Sequence, residues 1–237
     1  MRITLTLIIA MVLGALQIQA QWGVKGEGDV VRQELDIDKF SGVNLGFKGD
    51  IYISQGSPQK VVVEGQQNII DNIKREVKGD TWRVRFDKNV RNCKPVKIWI
   101  TIPELTEAAV SGSGNLISET RFTNVDELAV AVSGSGNVKL DVEATSIEGG
   151  ISGSGHVRLK GSTGGLEMSI SGSGNIRSMD LEAAFCEISI SGSGDAEVWA
   201  TQELNASISG SGDIKYKGEA PKVRARVSGS GDISEAR

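Results

Sequence analysis

With 237 residues, of which 24% are charged and 39% apolar, the chain has the composition of a folded protein. It contains 30 glycines but only 4 prolines, so the glycine excess indicates repeated backbone turns and not a disordered linker. The formal net charge of −4 excludes a strongly basic surface, and we therefore expect no nucleic-acid partner.

The N-terminus has the pattern of a secretory signal peptide. Arg2 supplies a positive charge, residues 3–16 are nearly all apolar, and Ala20 ends a short segment suited to cleavage. The apolar run is shorter than the roughly 20 residues of a membrane-spanning helix, so we expect no transmembrane segment after cleavage. Residues 1–20 are predicted to be removed, and the mature protein to be exported to the periplasm, the outer cell surface or the medium.

Residues 21–110 are predicted to form an irregular β region that is continuous with the repeats after it and caps them. One helix is predicted from Asn68 to Val77, because Ile69, Ile70 and Ile73 fall on one helical face. Runs typical of strands occupy residues 43–47, 50–55, 60–64, 81–87 and 96–102.

Residues 111–237 contain seven copies of the tetrapeptide Ser-Gly-Ser-Gly. Apolar and polar residues alternate before each copy, as in a half-buried strand, and a second short alternating run follows it. A single unit cannot bury its own apolar face, whereas stacked copies can. The copies begin at Ser111, Ser133, Ser152, Ser171, Ser191, Ser209 and Ser228.

This regular spacing predicts an all-β fold, a parallel β-helix or β-solenoid with coils of about 19 residues. The alternative is a sandwich or barrel of hairpins, but hairpins would make alternate turns different, and here every turn is alike. Right-handed winding is expected only from the general rule for parallel β connections.

One polar residue follows each tetrapeptide and forms a corner column. We predict a structural role, because Asn and Asp at turns bond to nearby backbone groups. Calcium bound by Asp195, Asp213 and Asp232 is the alternative. The only histidine is in this column, which argues against zinc sites and His-based catalysis, so no catalytic residue and no cofactor are predicted. The column comprises Asn115, Asn137, His156, Asn175, Asp195, Asp213 and Asp232.

Two sets of charged residues are predicted to stack as ladders on outer faces of the solenoid. They can serve as solvated charge that keeps the sheets soluble, or they can form a ligand-binding face. The acidic ladder comprises Glu107, Glu148, Glu167 and Glu187, and the basic ladder comprises Lys139, Arg158, Arg177 and Lys215.

The two cysteines are predicted to remain unpaired, with Cys186 buried. Cys186 shares the inward parity of Ile188 and Ile190. Cys93 lies more than four coils earlier, whereas a disulfide needs a Cα separation of about 6 Å.

The chain resembles, over about residues 28–237, the bacterial family called putative auto-transporter adhesin, head GIN domain. The matching pieces are FSGV at 40–43, DIYISQG at 50–56, VVVE at 61–64, ITIPEL at 100–105 and the Ser-Gly repeats. The resemblance implies a secreted or cell-envelope β-helical protein, and it carries over no catalytic or binding residue.

We therefore expect an exported binding protein, an adhesin that recognises an extracellular protein or polysaccharide, and not an enzyme. One alternative is a periplasmic structural or envelope-stress protein without an external ligand. A polysaccharide-active enzyme is another, but it would need carboxylates that converge in a groove. Because the last coil is incomplete, a homo-oligomer, with the trimer as the expected size, is predicted to form near that end or along a charged face.

Overall fold

The computed structural model describes residues 23–220 and 222–236, so the predicted signal peptide lies outside the described residues. The first part of the chain forms β1 (Val24–Lys25), β2 (Val30–Leu35), β3 (Gly42–Leu45), β4 (Asp50–Gln55), β5 (Lys60–Gln66), α1 (Gln67–Ile70), β6 (Val77–Lys78), β7 (Thr81–Val84), β8 (Val90–Asn92), β9 (Lys97–Ile102) and β10 (Glu107–Val110). The repeats form β11 (Asn115–Gly134), β12 (Asn137–Gly153), β13 (His156–Gly172), β14 (Asn175–Gly192), β15 (Asp195–Gly210), β16 (Ile214–Lys217), β17 (Lys222–Gly229) and β18 (Ile233–Glu235).

Each long strand from β12 to β14 covers one coil, from just after one Ser-Gly corner to the start of the next. Neighbouring coils pair in parallel over nearly their whole length, with Asn137 beside His156 at one end and Ile151 beside Ile170 at the other. The same pairing continues from β13 to β14 and from β14 to β15. The predicted β-solenoid, with about 7 turns and a spacing of about 19 residues, is confirmed.

The core is a set of inward columns that run along the stack. The residue directly before each corner is buried from the first repeat to the sixth, and the residues two and four places earlier point the same way. Full burial of one such aliphatic side chain contributes roughly 1.5–3 kcal/mol, so stacking makes the fold stable although no coil has a core of its own. The column before the corner comprises Val110, Val132, Ile151, Ile170, Ile190 and Ile208.

The corners place glycine backbones directly on one another. Gly172 has a φ of +133°, a conformation that residues with a Cβ rarely adopt. A Cβ on Gly172 would also meet the backbone of Gly153 in the coil below. The equivalent glycines at 134, 153, 192, 210 and 229 likewise have positive φ. The glycines of the tetrapeptide are therefore a requirement of close stacking.

The N-terminal region joins the stack in an order that differs from the chain order. One face stacks as β7, β3, β10 and β11, all in parallel. The next face stacks as β9, β4 and β11, again in parallel. The coil formed by β3 and β4 therefore lies between two others. On one side is the coil of β7 and β9, which comes later in the chain, and on the other is the first repeat, with β10 and β11. On the outer side, β5 runs antiparallel to both β2 and β9.

The predicted helix over 68–77 is wrong in extent, because α1 ends at Ile70. The Asn72 side chain donates to the carbonyl of Lys88 and accepts from its N–H, which ties the chain to the segment before β8 instead of to a next helical turn. Ile73 then forms an isolated antiparallel bridge with Phe86. The isoleucines that suggested a helical face are buried all the same, in a turn packed on the core.

Candidate binding surface

Three glutamates form a continuous column on the face that precedes the corners. Glu148 pairs with Glu167, and Glu167 pairs with Glu187, in successive coils. Paired strands lie about 4.8 Å apart, so three carboxylates project from the same position of adjacent coils. All three residues are exposed. We call this group, Glu148, Glu167 and Glu187, the acidic column.

The fourth predicted member, Glu107, lies on the same line but is separated from the others. Ala129 stands between Glu107 and Glu148 in the ladder. The Glu107 carboxylate accepts a hydrogen bond of 2.6 Å from the Thr81 hydroxyl and is partly buried. Glu107 therefore helps to join the N-terminal coils, and the acidic column begins at Glu148.

The surface beside the acidic column is shallow because its neighbours on one side are small. Gly150, Ser169 and Ser189 form the adjacent outward column. A depression of about 340 Å³ is lined by Ser169 and Ser189 and by the glutamates of the acidic column. The carboxylates are therefore accessible along the length of three coils.

A large apolar side chain lies on the other side of the column. Phe185 points outward, is 52% exposed, and lines a second depression of about 350 Å³ with Glu167 and Glu187. Its neighbours in the coils on either side are Gly165 and Glu203. Sequence reasoning did not single out Phe185, although its parity, opposite to that of Cys186, would have placed it on the surface.

No Lys or Arg nitrogen of the described residues lies within 4.0 Å of the acidic column. Carboxylates side by side repel one another, and an ionised carboxylate can only accept hydrogen bonds. Toward the end of the stack the column continues through Asn205 to Arg224. The column therefore presents negative charge that favours a positive or hydrogen-bond-donating ligand.

The basic ladder lies on the face that follows the corners. Lys139, Arg158 and Arg177 stack in successive coils, and Glu197 then separates them from Lys215. All four predicted cations are exposed. Their surroundings differ from those of the acidic column, because nearby carboxylates compensate part of this charge.

Asp180 compensates one ladder cation, and Asp141 compensates two cations of the neighbouring outward column. Arg158 lies 3.0 Å from an Asp180 oxygen, while Asp141 binds Arg121 at 2.7 Å and Lys160 at 2.9 Å. Partial burial alone would raise the pKa of the Asp141 carboxyl, but hydrogen bonds and positive charge from Lys160 and Arg121 hold that pKa below its usual value. Within the basic ladder, therefore, Arg158 is compensated directly, and the ion pairs of Asp141 lie in the neighbouring outward column.

The corner column makes hydrogen bonds from coil to coil. The Asn137 amide donates to the Asn115 side chain at 2.7 Å. Farther along, an Asp195 oxygen accepts the backbone N–H of Asp213 at 2.9 Å, and an Asp213 oxygen accepts that of Asp232 at 2.9 Å. These bonds are of the kind that a structural role requires.

Metal-binding geometry is not found in residues 23–220 and 222–236, where no group of three or more His, Cys, Asp or Glu could hold an ion. His156 is exposed at its corner, and Asn175 accepts the N–H of Asp195 at 3.1 Å. The structural role of the column and its calcium alternative both stay predictions.

The cysteine prediction is confirmed, since Cys93 and Cys186 are both unpaired and Cys186 is buried. Burial raises the pKa of the Cys186 thiol to about 12. A thiol that stays protonated is a poor nucleophile, so Cys186 acts as a core residue between Leu166 and Leu204.

The parallel coils, the glycine corners and the exposed charged columns together define a β-solenoid repeat protein. Residues 39–220 match the family described as "Putative auto-transporter adhesin, head GIN domain". The chain belongs to this family. A comparison with curated proteins finds no match. The one helix that the structure describes is too short to cross a membrane.

Several solved structures have the same fold. A putative adhesin of Bacteroides fragilis is 29% identical with a TM-score of 0.83, covering 90% of this chain and 100% of its own. A putative adhesin of Parabacteroides distasonis is 28% identical with a TM-score of 0.71, covering 90% and 100%. A protein of the same species, described as a putative lipid binding protein, is 24% identical with a TM-score of 0.75, covering 91% and 100%.

Proposed function

We propose that this protein is an exported adhesin of the cell envelope or the medium, and that its ligand-binding surface is the acidic column with Phe185 beside it. The observation that carries the proposal is a row of three exposed carboxylates on adjacent coils without a cation of the described chain to compensate them. Charges that only keep a sheet soluble are better interspersed with opposite charges, as around Asp141. Membership of a family described as adhesins supports the same function.

The chemistry of the face limits the ligand. Carboxylates accept hydrogen bonds, so the ligand must offer ammonium, guanidinium or hydroxyl donors. Phe185 adds an apolar platform at the edge of the row. A basic surface of an extracellular protein, or a neutral or amino-group-bearing polysaccharide, meets these requirements, whereas a polyanion does not.

We also propose that the protein is not an enzyme. Glycoside hydrolysis usually employs two carboxyl groups that flank the scissile bond from opposite sides. Here the three glutamates project from one open face in a single row. The family and the similar structures are described as adhesins or as lipid binding, and none as a catalyst.

A panel of immobilised polymers tests the ligand class. The purified chain is passed over a basic protein, a neutral polysaccharide, an amino-group-bearing polysaccharide and a sulfated polysaccharide at low salt. Retention by one of the first three, but not by the sulfated polymer, is expected. Retention by the sulfated polymer alone would show that a basic surface binds and would reject the acidic column as the ligand site.

Protease treatment of intact cells distinguishes a surface adhesin from the periplasmic structural alternative. A surface protein is cleaved while the cells are intact, and a periplasmic one is protected until the outer membrane is opened. Protection in intact cells would contradict the surface adhesin. The homo-oligomer, with the trimer as expected size, stays a prediction, and sedimentation as a monomer at tens of micromolar would reject it.

A further inference from the structure

The last long strand of the stack, β17, has one unpaired edge. It pairs with β15 in parallel, and no other strand of the described residues lies on its second side. All eight of its residues are exposed. Val223 is 40% and Val227 is 45% exposed, although the residues that precede them in their columns, Leu204 and Ile208, are buried. The apolar columns of the core therefore end at Val223 and Val227, and no described residue covers these two side chains.

The outward side of β17 carries three cations. Lys222 and Arg224 both bind the carboxylate of Glu203 in the coil below, at 2.9 and 2.7 Å. Arg226 has no carboxylate of the described residues within 4.0 Å, and the residue below it is Ser207. One carboxylate therefore faces three cations, and the edge has excess positive charge.

Charge alternates from coil to coil in one outward column of the same stack, in contrast to the acidic column and the basic ladder. This alternating column is formed by Arg121, Asp141, Lys160 and Asp180 in successive coils. Asp141 binds the cation on each side of it. A strand that continues the stack beyond β17 with the same alternation would place acidic side chains over the three cations, where they can form ion pairs like those of Asp141.

We propose that the open edge of β17 binds an extended acidic strand of a partner protein by β-strand addition. The bound segment has acidic residues at the positions over Lys222, Arg224 and Arg226. Between them it has apolar residues, which cover Val223, Ala225 and Val227 of the exposed core. Backbone hydrogen bonds to the edge supply affinity, and the alternating side chains supply selectivity.

A second copy of the chain fits this edge poorly. In centred antiparallel pairing of two β17 strands, Lys222 would lie opposite Arg226 and Arg224 would lie opposite itself. Like charges directly opposite one another on a sheet are destabilising. The charge of the edge therefore favours an acidic partner over self-pairing, and the site does not depend on the acidic column.

Synthetic peptides test the proposal with the purified full chain. The probe is a fluorescent eight-residue peptide in which glutamate alternates with valine, and its binding is followed by anisotropy at low salt. Two control peptides accompany it, one with lysine in place of glutamate and one with methyl groups on alternate backbone nitrogens. The parent peptide is expected to bind, and both controls are expected to fail.

Two charge-reversal variants locate the site. Arg224→Glu with Arg226→Glu is expected to weaken peptide binding by at least about tenfold, or about 1.4 kcal/mol. The matched control is Arg158→Glu with Arg177→Glu, which makes the same change in charge on the basic face and likewise replaces one paired and one unpaired arginine. Circular dichroism and melting temperature check that both variants are folded.

Several results would overturn strand addition at β17. An N-methylated peptide that binds as well as the parent would show attraction by charge alone. Equal losses in the two double variants would show that the edge is not the site, and absence of binding by the parent peptide would reject the site altogether. A wild-type dimer in sedimentation that Arg224→Glu with Arg226→Glu dissociates would show that a second copy occupies the edge.

Discussion

Gly172→Ala tests how closely the coils are stacked. Gly172 has a φ of +133°, and a Cβ there would meet the carbonyl and the backbone nitrogen of Gly153 in the paired coil. Such a backbone conformation costs a residue with a Cβ about 1–3 kcal/mol. The overlap adds to this, because two hydrogen-bonded backbones would have to separate. We expect a loss of about 3 kcal/mol in the free energy of unfolding, which for a chain of this size lowers the melting temperature by about 6–12 °C.

Gly165→Ala is the matched control in the same coil. A Cβ on Gly165 would have no atom within 4 Å, and Gly165 is not among the residues with positive φ. The variant is expected to be neutral or to be stabilised by up to about 1 kcal/mol, because alanine restricts the unfolded chain. Thermal unfolding followed by circular dichroism compares the three proteins. Equal melting temperatures for Gly172→Ala and Gly165→Ala would refute the close backbone contact at the corners.

Three further predictions follow from local chemistry. The Cys186 thiol, with a pKa of about 12, should resist labelling at pH 8 until the protein unfolds, and rapid labelling of native protein would contradict its burial. Asp141→Asn should cost on the order of 1 kcal/mol at neutral pH. Because the folded-state pKa of Asp141 is lowered, its contribution is present above the usual carboxyl range and lost as pH falls through the folded pKa, so denaturant unfolding should show the two proteins converging in acid. Millimolar calcium should leave the melting temperature unchanged, and a rise that is lost in Asp195→Asn/Asp213→Asn/Asp232→Asn would establish the calcium alternative.

The repeat architecture could be predicted because two independent patterns in the sequence agree. Alternation defines which side chains point inward, and the constant spacing of the Ser-Gly corners defines which coils lie side by side. The parity rule correctly placed Cys186 inside and Arg177 outside. Both patterns are local and repeated, so an error in one coil would have conflicted with its neighbours.

The N-terminal region could not be predicted in the same detail, because its coils lack the corner motif. Nothing in the sequence indicates that β7 stacks outside β3, or that β10 returns to the opposite side of β3. The helix prediction failed at Asn72, whose side-chain bonds to Lys88 depend on a segment that is distant in the chain. Tertiary contacts decided this segment against its helical periodicity.

The candidate surfaces were predicted in part. The sequence placed Glu148, Glu167 and Glu187 on one line, but the separation of Glu107 from them depends on Ala129, which occupies a glutamate position of the pattern. The ion pair of Arg158 in the basic ladder, and the absence of such pairs at the acidic column, depend on which side chains reach across coils. That information is carried by distances between atoms and not by the spacing of residues.

Ligand binding by Glu148→Gln/Glu167→Gln/Glu187→Gln tests the central claim most directly. A second variant, with Gln replacing Glu at 143, 182 and 219, removes the same charge from exposed positions away from the acidic column and is the matched control. The first variant is expected to bind the polymer that retains the wild-type chain at least about tenfold more weakly, which is equivalent to about 1.4 kcal/mol. The control should bind like the wild type. Equal retention of all three proteins, or equal weakening of both variants, would contradict the acidic column as the binding surface.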